Sequence, residues 1–137
     1  ILVDGWCLGA FAPEPSPPIN AIEALDDEGV WRAAQAEFLG GAYAEFIAAF
    51  DAIVYLKAPS WETVRSWRAE QEAENLGRPL DADDRARLNL FMQHYERITR
   101  AMMNGAHCAN WVIDLDSHRN PIALREVIIR AGETAGT

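Results

Sequence analysis

Three short apolar runs constrain the fold of this chain more than any other feature. They span residues 1–3, 52–56 and 111–115, and large or β-branched apolar side chains dominate them. Continuous apolar runs of this length are typical of strands in a parallel sheet with helices on both faces. Because helical patterns separate the runs, the sequence predicts an α/β fold with a parallel sheet. Three strands make a small sheet, and the chain opens on a strand-like run without an initiator Met. For both reasons we expect further strands upstream of Ile1.

Capping residues and turn signals divide the sequence between these runs. Prolines between Phe11 and Pro18 predict an extended loop, followed by a short irregular or helical piece over residues 20–27. Apolar spacing predicts a helix over residues 30–50 that is interrupted at its Gly-Gly pair. The remaining predicted helices run from the N-cap Ser60 to about residue 75, from the N-cap Asp81 to Met103, and from Pro121 through residues 122–130.

Charge and composition exclude some classes of function. A net charge of −9 argues against sequence-independent nucleic-acid binding, which needs a basic surface. No run approaches the roughly 20 apolar residues that span a bilayer, and no signal peptide is visible. Cys7 and Cys108 are isolated and lack metal-ligand spacing, which favours a reducing compartment over a disulfide framework. We therefore expect a cytoplasmic protein with neither nucleic acid nor a membrane as its partner.

The first candidate functional residue is Asp4, which ends the first apolar run in the segment ILVDGWCLGAF. Ligands bind at the carboxyl ends of strands in open α/β sheets. A carboxylate there holds Mg²⁺ through water, or accepts the proton of an attacking hydroxyl group. Gly5 lets the backbone turn sharply after it. Taken alone, Asp4 is more simply explained as a strand-end residue that caps the next turn.

A second candidate is the predicted helix SWETVRSWRAEQEAENL over residues 60–76. Arg65 and Arg68 are three residues apart and therefore share one helix face. A helix with two arginines can act as a lid that closes over transferring phosphates and stabilises their charge. A solvated helix with intrahelical pairs such as Arg68–Glu72 is the simpler alternative.

Two further segments carry polar groups suited to ligands. In the helix over residues 88–102, Arg97 and Arg100 can reach an anionic substrate, whereas a histidine such as His94 more often packs or pairs than catalyses. The segment IDLDSHRNP over residues 113–121 follows a predicted strand and precedes a predicted helix. An ordinary turn between a strand and a helix explains that segment equally simply.

Known phosphate-binding and catalytic signatures are absent from the sequence. There is no G-x-x-x-x-G-K-[ST], and the one lysine, Lys57, lacks the preceding glycines. Neither H-E-x-x-H, nor a nucleophile elbow, nor a dinucleotide fingerprint is present. The sequence thus offers groups suited to phosphoryl chemistry but no loop that cradles a phosphate.

Three segments carry a resemblance to a known family. Residues 3–9, 56–72 and 94–100 read VDGWCLG, LKAPSWETVRSWRAEQE and HYERITR. In this order they resemble bacterial D-glycerate 3-kinase-like proteins, within the wider phosphoribulokinase, uridine kinase and pantothenate kinase group. The resemblance extends from Ile1 to about Arg125. It implies that residues 1–137 are the carboxyl-terminal portion of one P-loop kinase domain, a three-layer α/β/α fold with a parallel sheet and a lid at about residues 60–80. The N-terminal strand and the phosphate loop of that fold have no counterpart here.

The resemblance also implies an activity and a set of site residues. The activity is ATP-dependent phosphorylation of a hydroxyl group of a small acid such as D-glycerate, with ATP and Mg²⁺ as cofactors. Asp4 is implied as the catalytic carboxylate, in contact with Mg²⁺ directly or through water. The other implied roles are Arg65 and Arg68 as catalytic lid arginines, Gln71 and Glu72 as their supports, Trp6, Tyr95 and Arg97 at the acceptor substrate, and His118, Arg119 and Asn120 beside the nucleotide base.

Two alternatives remain open. Pantothenate, uridine or ribulose phosphate could be the acceptor, because specificity depends on the shape of the pocket. A non-catalytic kinase-like binding or assembly module is an alternative from a different class. Phosphate positioning supplies most of phosphoryl-transfer catalysis, and the loop that would position the phosphates has no counterpart in these residues. We expect these residues alone to be inactive. We also expect them to expose an apolar sheet edge and face that the missing N-terminal segment, or another chain, covers.

Overall fold

A computed structural model describes residues 1–127 of the 137-residue chain. The predicted α/β class is confirmed, because helices and strands are mixed along the chain. Within residues 1–127, no helix is both long enough and apolar enough to cross a bilayer. The elements are α1 (Ala21–Ala24), α2 (Val30–Gly40), α3 (Ala42–Ala48), β1 (Val54–Lys57), α4 (Trp61–Leu76), α5 (Ala82–Met103), β2 (Trp111–Leu115) and β3 (Pro121–Glu126).

The two long helices begin at the N-caps that the sequence predicts. The Ser60 hydroxyl accepts a hydrogen bond from the Thr63 amide at 3.1 Å, which satisfies one of the free N–H groups of the first turn of α4. Asp81 forms a reciprocal capping box with Asp84 at the start of α5. α4 ends at Gly77, whose φ of 65° is the left-handed conformation that glycine adopts without strain. α4 then packs against α5.

Gly41 divides the predicted helix over residues 30–50 into α2 and α3. Its φ of −106° and ψ of −115° lie outside the helical region. A Cβ atom at this position would lie 3.1 Å from the carbonyl oxygen of Glu37, so the tight break favours glycine. Ile47 of α3 is buried, as the apolar spacing predicts, but Phe38 and Phe46 at the same spacing are 59% and 53% exposed, and Leu39 is buried in α2 instead.

The sheet contains three strands in the order β1-β2-β3. β1 and β2 are parallel, with Val54 opposite Trp111 and Lys57 opposite Asp114. β2 and β3 are antiparallel. The sheet is therefore mixed, and the prediction of a parallel sheet holds for the β1–β2 pair but not for β3.

Residues 1–3 do not form the strand that the sequence predicts. Their backbone has no strand partner among the described residues, and Ile1 and Leu2 are fully exposed. An apolar run becomes a strand only where a neighbouring chain bonds its N–H and C=O groups. The segment joins the rest of the molecule further along, through an isolated bridge between Ala10 and His107.

The prediction of a helix after Pro121 is wrong within the described residues, because Pro121–Glu126 is strand β3. The preceding turn closes a hairpin: the Asp116 carboxylate accepts hydrogen bonds from the His118 and Asn120 amides at 2.8 and 2.9 Å. Arg119 adopts a φ of 68° in this turn. Pro121 begins an edge strand, where a missing N–H group costs little. The predicted residues 128–130 lie outside the described range.

The two faces of the sheet differ in their cover. Side chains alternate along each strand, so Tyr55 and Val112 lie on one face, and Tyr55 packs against the core. On the opposite face Val54 and Leu56 are 51% and 59% exposed. The register places Trp111, Ile113 and Leu124 on this second face as well. The buried core cluster comprises Ala10, Leu39, Ile98 and Met102.

Candidate functional site

A cavity of about 430 Å³ is bounded by the N-terminal segment, β1, α4 and α5. Asp4 is the one charged side chain among its described lining residues, and Trp6 lines it too. The helices contribute Val64 and Trp67 from α4 and Thr99 from α5. The volume falls within the range of small-molecule sites. Because it joins Asp4 and Trp6, this cavity is the candidate functional site.

Trp6 is fixed in the cavity wall by two residues of α5. Its indole ring stacks on the ring of Tyr95 with centroids 4.7 Å apart and planes 15° from parallel. Its indole N–H donates a hydrogen bond to the Thr99 hydroxyl at 3.2 Å. Tyr95 and Thr99 are one helical turn apart, which explains how both reach the same ring. The structure therefore brings together Trp6 and Tyr95, both predicted at the acceptor.

The backbone after Trp6 is held by polar contacts. The Tyr43 hydroxyl donates to the Cys7 carbonyl at 2.7 Å, and the Cys108 amide donates to the Gly9 carbonyl at 2.9 Å. Burial raises the pKa of the Cys7 thiol to about 11, although a hydrogen bond with Thr99 acts in the opposite direction. Cys7 is thus a neutral thiol near pH 7, which suits packing and not nucleophilic attack.

Asp4 is exposed and lines the same cavity as Trp6. Within residues 1–127, no group of three or more His, Cys, Asp or Glu side chains is close enough together to hold a metal ion. A metal at Asp4 would therefore take its other ligands from water or from a bound substrate, which is how proteins commonly hold Mg²⁺.

The two predicted lid arginines lie on α4 but do not line the cavity that contains Asp4. Arg65 donates a hydrogen bond to the Asn89 side chain of α5 at 2.8 Å. Arg68 donates to Gln71, lies 3.6 Å from the Glu72 carboxylate, and places its guanidinium over the ring of Phe91. Both arginines thus contact α5 or their own helix in this conformation.

Arg97, predicted at the acceptor, is instead engaged by α1 and the proline loop. Its guanidinium contacts the Glu23 carboxylate at 2.5 and 2.9 Å. It also donates to the Ser16 hydroxyl and to the Pro17 carbonyl. Burial raises the pKa of Glu23, but hydrogen bonds from Arg97 and from the Ile19 amide outweigh that effect and hold the pKa below its usual value. In this structure Arg97 joins three segments and lies outside the cavity.

The predicted nucleotide-base residues His118, Arg119 and Asn120 form the hairpin turn between β2 and β3. Arg119 contacts the Glu70 carboxylate of α4 at 2.7 Å, and its guanidinium lies 5.1 Å from the Trp67 ring centroid. Trp67 in turn donates to the Ser117 carbonyl at 3.0 Å. Trp67 therefore connects this turn to the cavity that it also lines.

A second polar group lies at the carboxyl ends of the parallel strands. Lys57 and Asp114 are register partners, and Arg125 donates two hydrogen bonds to Asp114 at 2.8 and 2.9 Å. Hydrogen bonds from Arg125 lower the pKa of Asp114, with a smaller contribution from the charge of Lys57. This group is not predicted from the sequence, because Arg125 falls within the helix predicted after Pro121.

Thr99 and Trp67 were also missed as site residues. Thr99 reads as one more small residue on the buried face of α5, and Trp67 as an ordinary apolar position of α4. One signal was available for Thr99: it lies four residues after Tyr95, so a ring that stacks on Tyr95 also passes the hydroxyl.

No protein-family model matches the chain, and neither the curated proteins nor the solved structures contain a match.

Proposed function

We propose that the protein containing these residues is an ATP-dependent kinase that phosphorylates a hydroxyl group of a small acid such as D-glycerate. The observation that carries the proposal is that Asp4 and Trp6 share one cavity, with Tyr95 stacked behind Trp6. The resemblance of residues 3–9, 56–72 and 94–100 to bacterial D-glycerate 3-kinase-like proteins points in the same direction. Two free cysteines agree with a cytoplasmic location.

Asp4 has the chemistry that the reaction needs. A carboxylate beside the acceptor can take the hydroxyl proton as the oxygen attacks the terminal phosphorus of ATP, while the bond from that phosphorus to the bridging oxygen breaks and ADP leaves. The apolar wall around Trp6 packs against the carbon skeleton of the acceptor and limits access of water. ATP and Mg²⁺ are the implied cofactors. The proposal assigns the phosphates of ATP to a loop outside these 137 residues, because G-x-x-x-x-G-K-[ST] does not occur in them. It also assigns the chain to a P-loop, three-layer fold, within which β1 and β2 are a parallel pair.

The contacts of the lid arginines are compatible with movement. Arg65 is bonded to the neutral Asn89 amide, and Arg68 to the neutral Gln71 amide and the partly exposed Glu72. Exposed contacts of this kind contribute little to stability and exchange readily for bonds to phosphate oxygens. We propose that α4 carries Arg65 and Arg68 toward the phosphates when substrates bind. Arg97 is bonded to the buried Glu23 carboxylate, so its role in this proposal is to fix the proline loop and not to bind the substrate.

A non-catalytic binding module is the second candidate, and one observation favours it. Val54 and Leu56 leave an apolar sheet face exposed, and large exposed apolar surfaces mark interaction sites. The two candidates differ in their requirement for small molecules, because a binding module needs neither ATP nor an acid for its role.

A ligand titration tests the kinase proposal. D-glycerate is titrated into the chain by calorimetry. Pantothenate, uridine and ribulose 5-phosphate are titrated separately as alternative acceptors. Trp6→Phe keeps the stack on Tyr95 but loses the hydrogen bond to Thr99, and we expect it to weaken acceptor binding. Trp31→Phe is the matched control, because Trp31 packs edge-on against His94 and does not line the cavity.

Activity is then measured as ADP release by the chain expressed with any coding sequence that precedes Ile1. We expect turnover with one of these acceptors, and Asp4→Asn lowers the rate at least about a hundredfold, which is the typical contribution of a general base. No turnover with any small hydroxyl acceptor contradicts the proposal. Equal binding by the Trp6→Phe and Trp31→Phe variants contradicts the choice of cavity.

A further inference from the structure

Ser16 of the proline loop is exposed, but it lies against two arginine side chains that are largely buried. Arg97 donates a hydrogen bond to the Ser16 hydroxyl, and Arg32 donates to the Ser16 carbonyl at 3.0 Å. The side chains of Arg97 and Arg32 are 13% and 18% exposed, and each is paired with a carboxylate, Glu23 or Asp26. Both guanidinium groups are therefore held in place beside Ser16 by other residues.

Each arginine uses different nitrogen atoms for its carboxylate partner and for Ser16. Nε and Nη2 of Arg97 donate to Glu23, whereas Nη1 donates to the Ser16 hydroxyl. Nε and Nη2 of Arg32 donate to the carboxylate and carbonyl of Asp26, whereas Nη1 donates to the Ser16 carbonyl. Each Nη1 carries two N–H groups. A phosphate group on Ser16 can therefore accept hydrogen bonds from both arginines while both ion pairs stay intact.

The space beside the Ser16 hydroxyl can hold a phosphate group. A cavity of about 290 Å³ is lined by Ser16, Arg32 and Arg97, together with small residues of α2. Glu14 is the one acidic side chain among its described lining residues, and it is exposed to water. A phosphate in this cavity thus meets two guanidinium groups and one solvated carboxylate.

The segment around Ser16 also suits an enzyme that modifies serine. Pro15 and Pro17 flank Ser16, and a residue that precedes proline is kept out of the helical conformation. The structure has neither helix, strand nor turn over residues 11–19, and the described backbone-to-backbone hydrogen bonds include none from residues 12–18. The other serines of the described residues lie at or within α4 or in the hairpin turn: Ser60, Ser66 and Ser117. Ser16 is also the one serine or threonine in the sequence that is followed by proline.

We propose that Ser16 is a phosphorylation site, and that Arg32 and Arg97 bind the phosphate group once it is attached. The co-reactants are ATP and a protein kinase that modifies serine before proline. The Ser16 oxygen forms a bond to the terminal phosphorus of ATP, the bond from that phosphorus to the bridging oxygen breaks, and ADP leaves. The hydroxyl proton passes to a carboxylate of the modifying enzyme. In this reaction the chain is the substrate, so the inference does not depend on its own activity.

The first experiment tests whether Ser16 is accessible in the folded chain. The enzyme is a purified proline-directed serine kinase that modifies a synthetic peptide of residues 11–19. The full chain is incubated with this kinase and ATP, and the product is mapped by mass spectrometry. We expect one phosphate group, at Ser16, and none in the Ser16→Ala variant. If the peptide is modified and the folded chain is not, the proposal is overturned.

The second experiment tests whether the two arginines bind the phosphate. Phosphoserine is incorporated at position 16 during synthesis of the full chain, and urea denaturation compares this chain with the unmodified one. We expect the equilibrium constant for folding to rise at least about tenfold, because new charge-assisted hydrogen bonds join the loop to α2 and α5. Phosphoserine at position 66 is the control. Ser66 is exposed on α4, one turn from both Glu62 and Glu70, so a phosphate there should bring no gain.

A double-mutant cycle assigns the gain to the arginines. Arg32→Met is made with and without phosphoserine at position 16, and we expect most of the gain to disappear. Arg32→Lys, which keeps the charge near Asp26, provides the same comparison if Arg32→Met does not fold. The proposal is overturned if the gain is as large in the Arg32 variant as in the unsubstituted chain. Equal effects of phosphoserine at positions 16 and 66 overturn it as well.

Discussion

The Glu23–Arg97 pair offers the sharpest test of how this chain is held together. The Glu23 side chain is 2% exposed and that of Arg97 13%. Arg97→Met removes the guanidinium but keeps most of the aliphatic volume. Glu23 then retains only the Ile19 amide, at 3.0 Å, as a partner for a buried charge. Removing one partner of a buried ion pair costs about 3–5 kcal/mol, because the other charge stays buried without compensation. We therefore expect a loss of that size in the free energy of unfolding at pH 7.

The pH dependence of this loss has a defined sign. In the folded chain the pKa of Glu23 lies below its usual value, so the contribution of the pair is present above about pH 4.3 and disappears as the pH falls through the folded value. In the Arg97→Met variant the arginine no longer opposes burial, so the pKa of Glu23 rises relative to the unsubstituted chain, although the Ile19 amide and the charge of Arg32 still lower it. The variant therefore gains relative stability on acidification, and the difference between the two proteins shrinks from pH 7 to pH 4.

Urea denaturation at pH 7, 5.5 and 4 measures this difference. Arg87→Met is the matched control on the same helix, because Arg87 is 72% exposed and its partner Asp84 keeps Arg78 at 2.6 Å. We expect the control to lose several-fold less stability, with little change across this pH range. A loss in Arg97→Met no larger than in the control refutes the reasoning, as does a loss that stays constant from pH 7 to pH 4.

Two further substitutions test local contacts. Thr99→Val removes the acceptor of the Trp6 indole N–H at similar volume; we expect a loss of about 0.5–1.5 kcal/mol in urea denaturation and a shifted tryptophan emission. An unchanged emission would show that the hydrogen bond does not fix Trp6. Ser60→Ala removes the bond to the Thr63 amide and should cost about 1 kcal/mol by the same measurement. Ser66→Ala, at an exposed position inside α4, is its control and should be neutral or slightly stabilising; equal effects would contradict the role of Ser60 as a cap.

The parts of the fold that were predictable are those set by local chemistry. The N-caps Ser60 and Asp81 fix where α4 and α5 begin, because each side chain bonds an amide within three residues. β2 is predicted at Trp111–Leu115 and occurs there, because a short apolar run followed by a polar turn favours a strand. In both cases the determining contact lies within a few residues of the sequence.

The parts that were not predictable depend on distant partners. Residues 1–3 have the composition of a strand, but a strand needs a neighbour. The sequence predicts a helix over residues 121–126 because proline often begins one, yet the turn at Asp116 directs them back along β2. The position of Arg97 depends on Glu23, 74 residues earlier in the chain. No periodicity within α5 distinguishes an arginine that meets a substrate from one that meets a buried carboxylate.

The anchors of the N-terminal segment nearest to Asp4 also depend on distant partners. The described polar anchors of the N-terminal segment begin at Trp6, with Thr99, and continue at Cys7 and Gly9. Because Trp6 is the described anchored residue nearest to Asp4 in the chain, we expect a change at Trp6 to act on both the wall of the cavity and its carboxylate. Thr99→Val separates the two effects, because it weakens the anchor and leaves the stacking ring in place. If acceptor binding depends on the position of Asp4, Thr99→Val and Trp6→Phe should weaken it together. If it depends on the indole surface alone, only Trp6→Phe should do so.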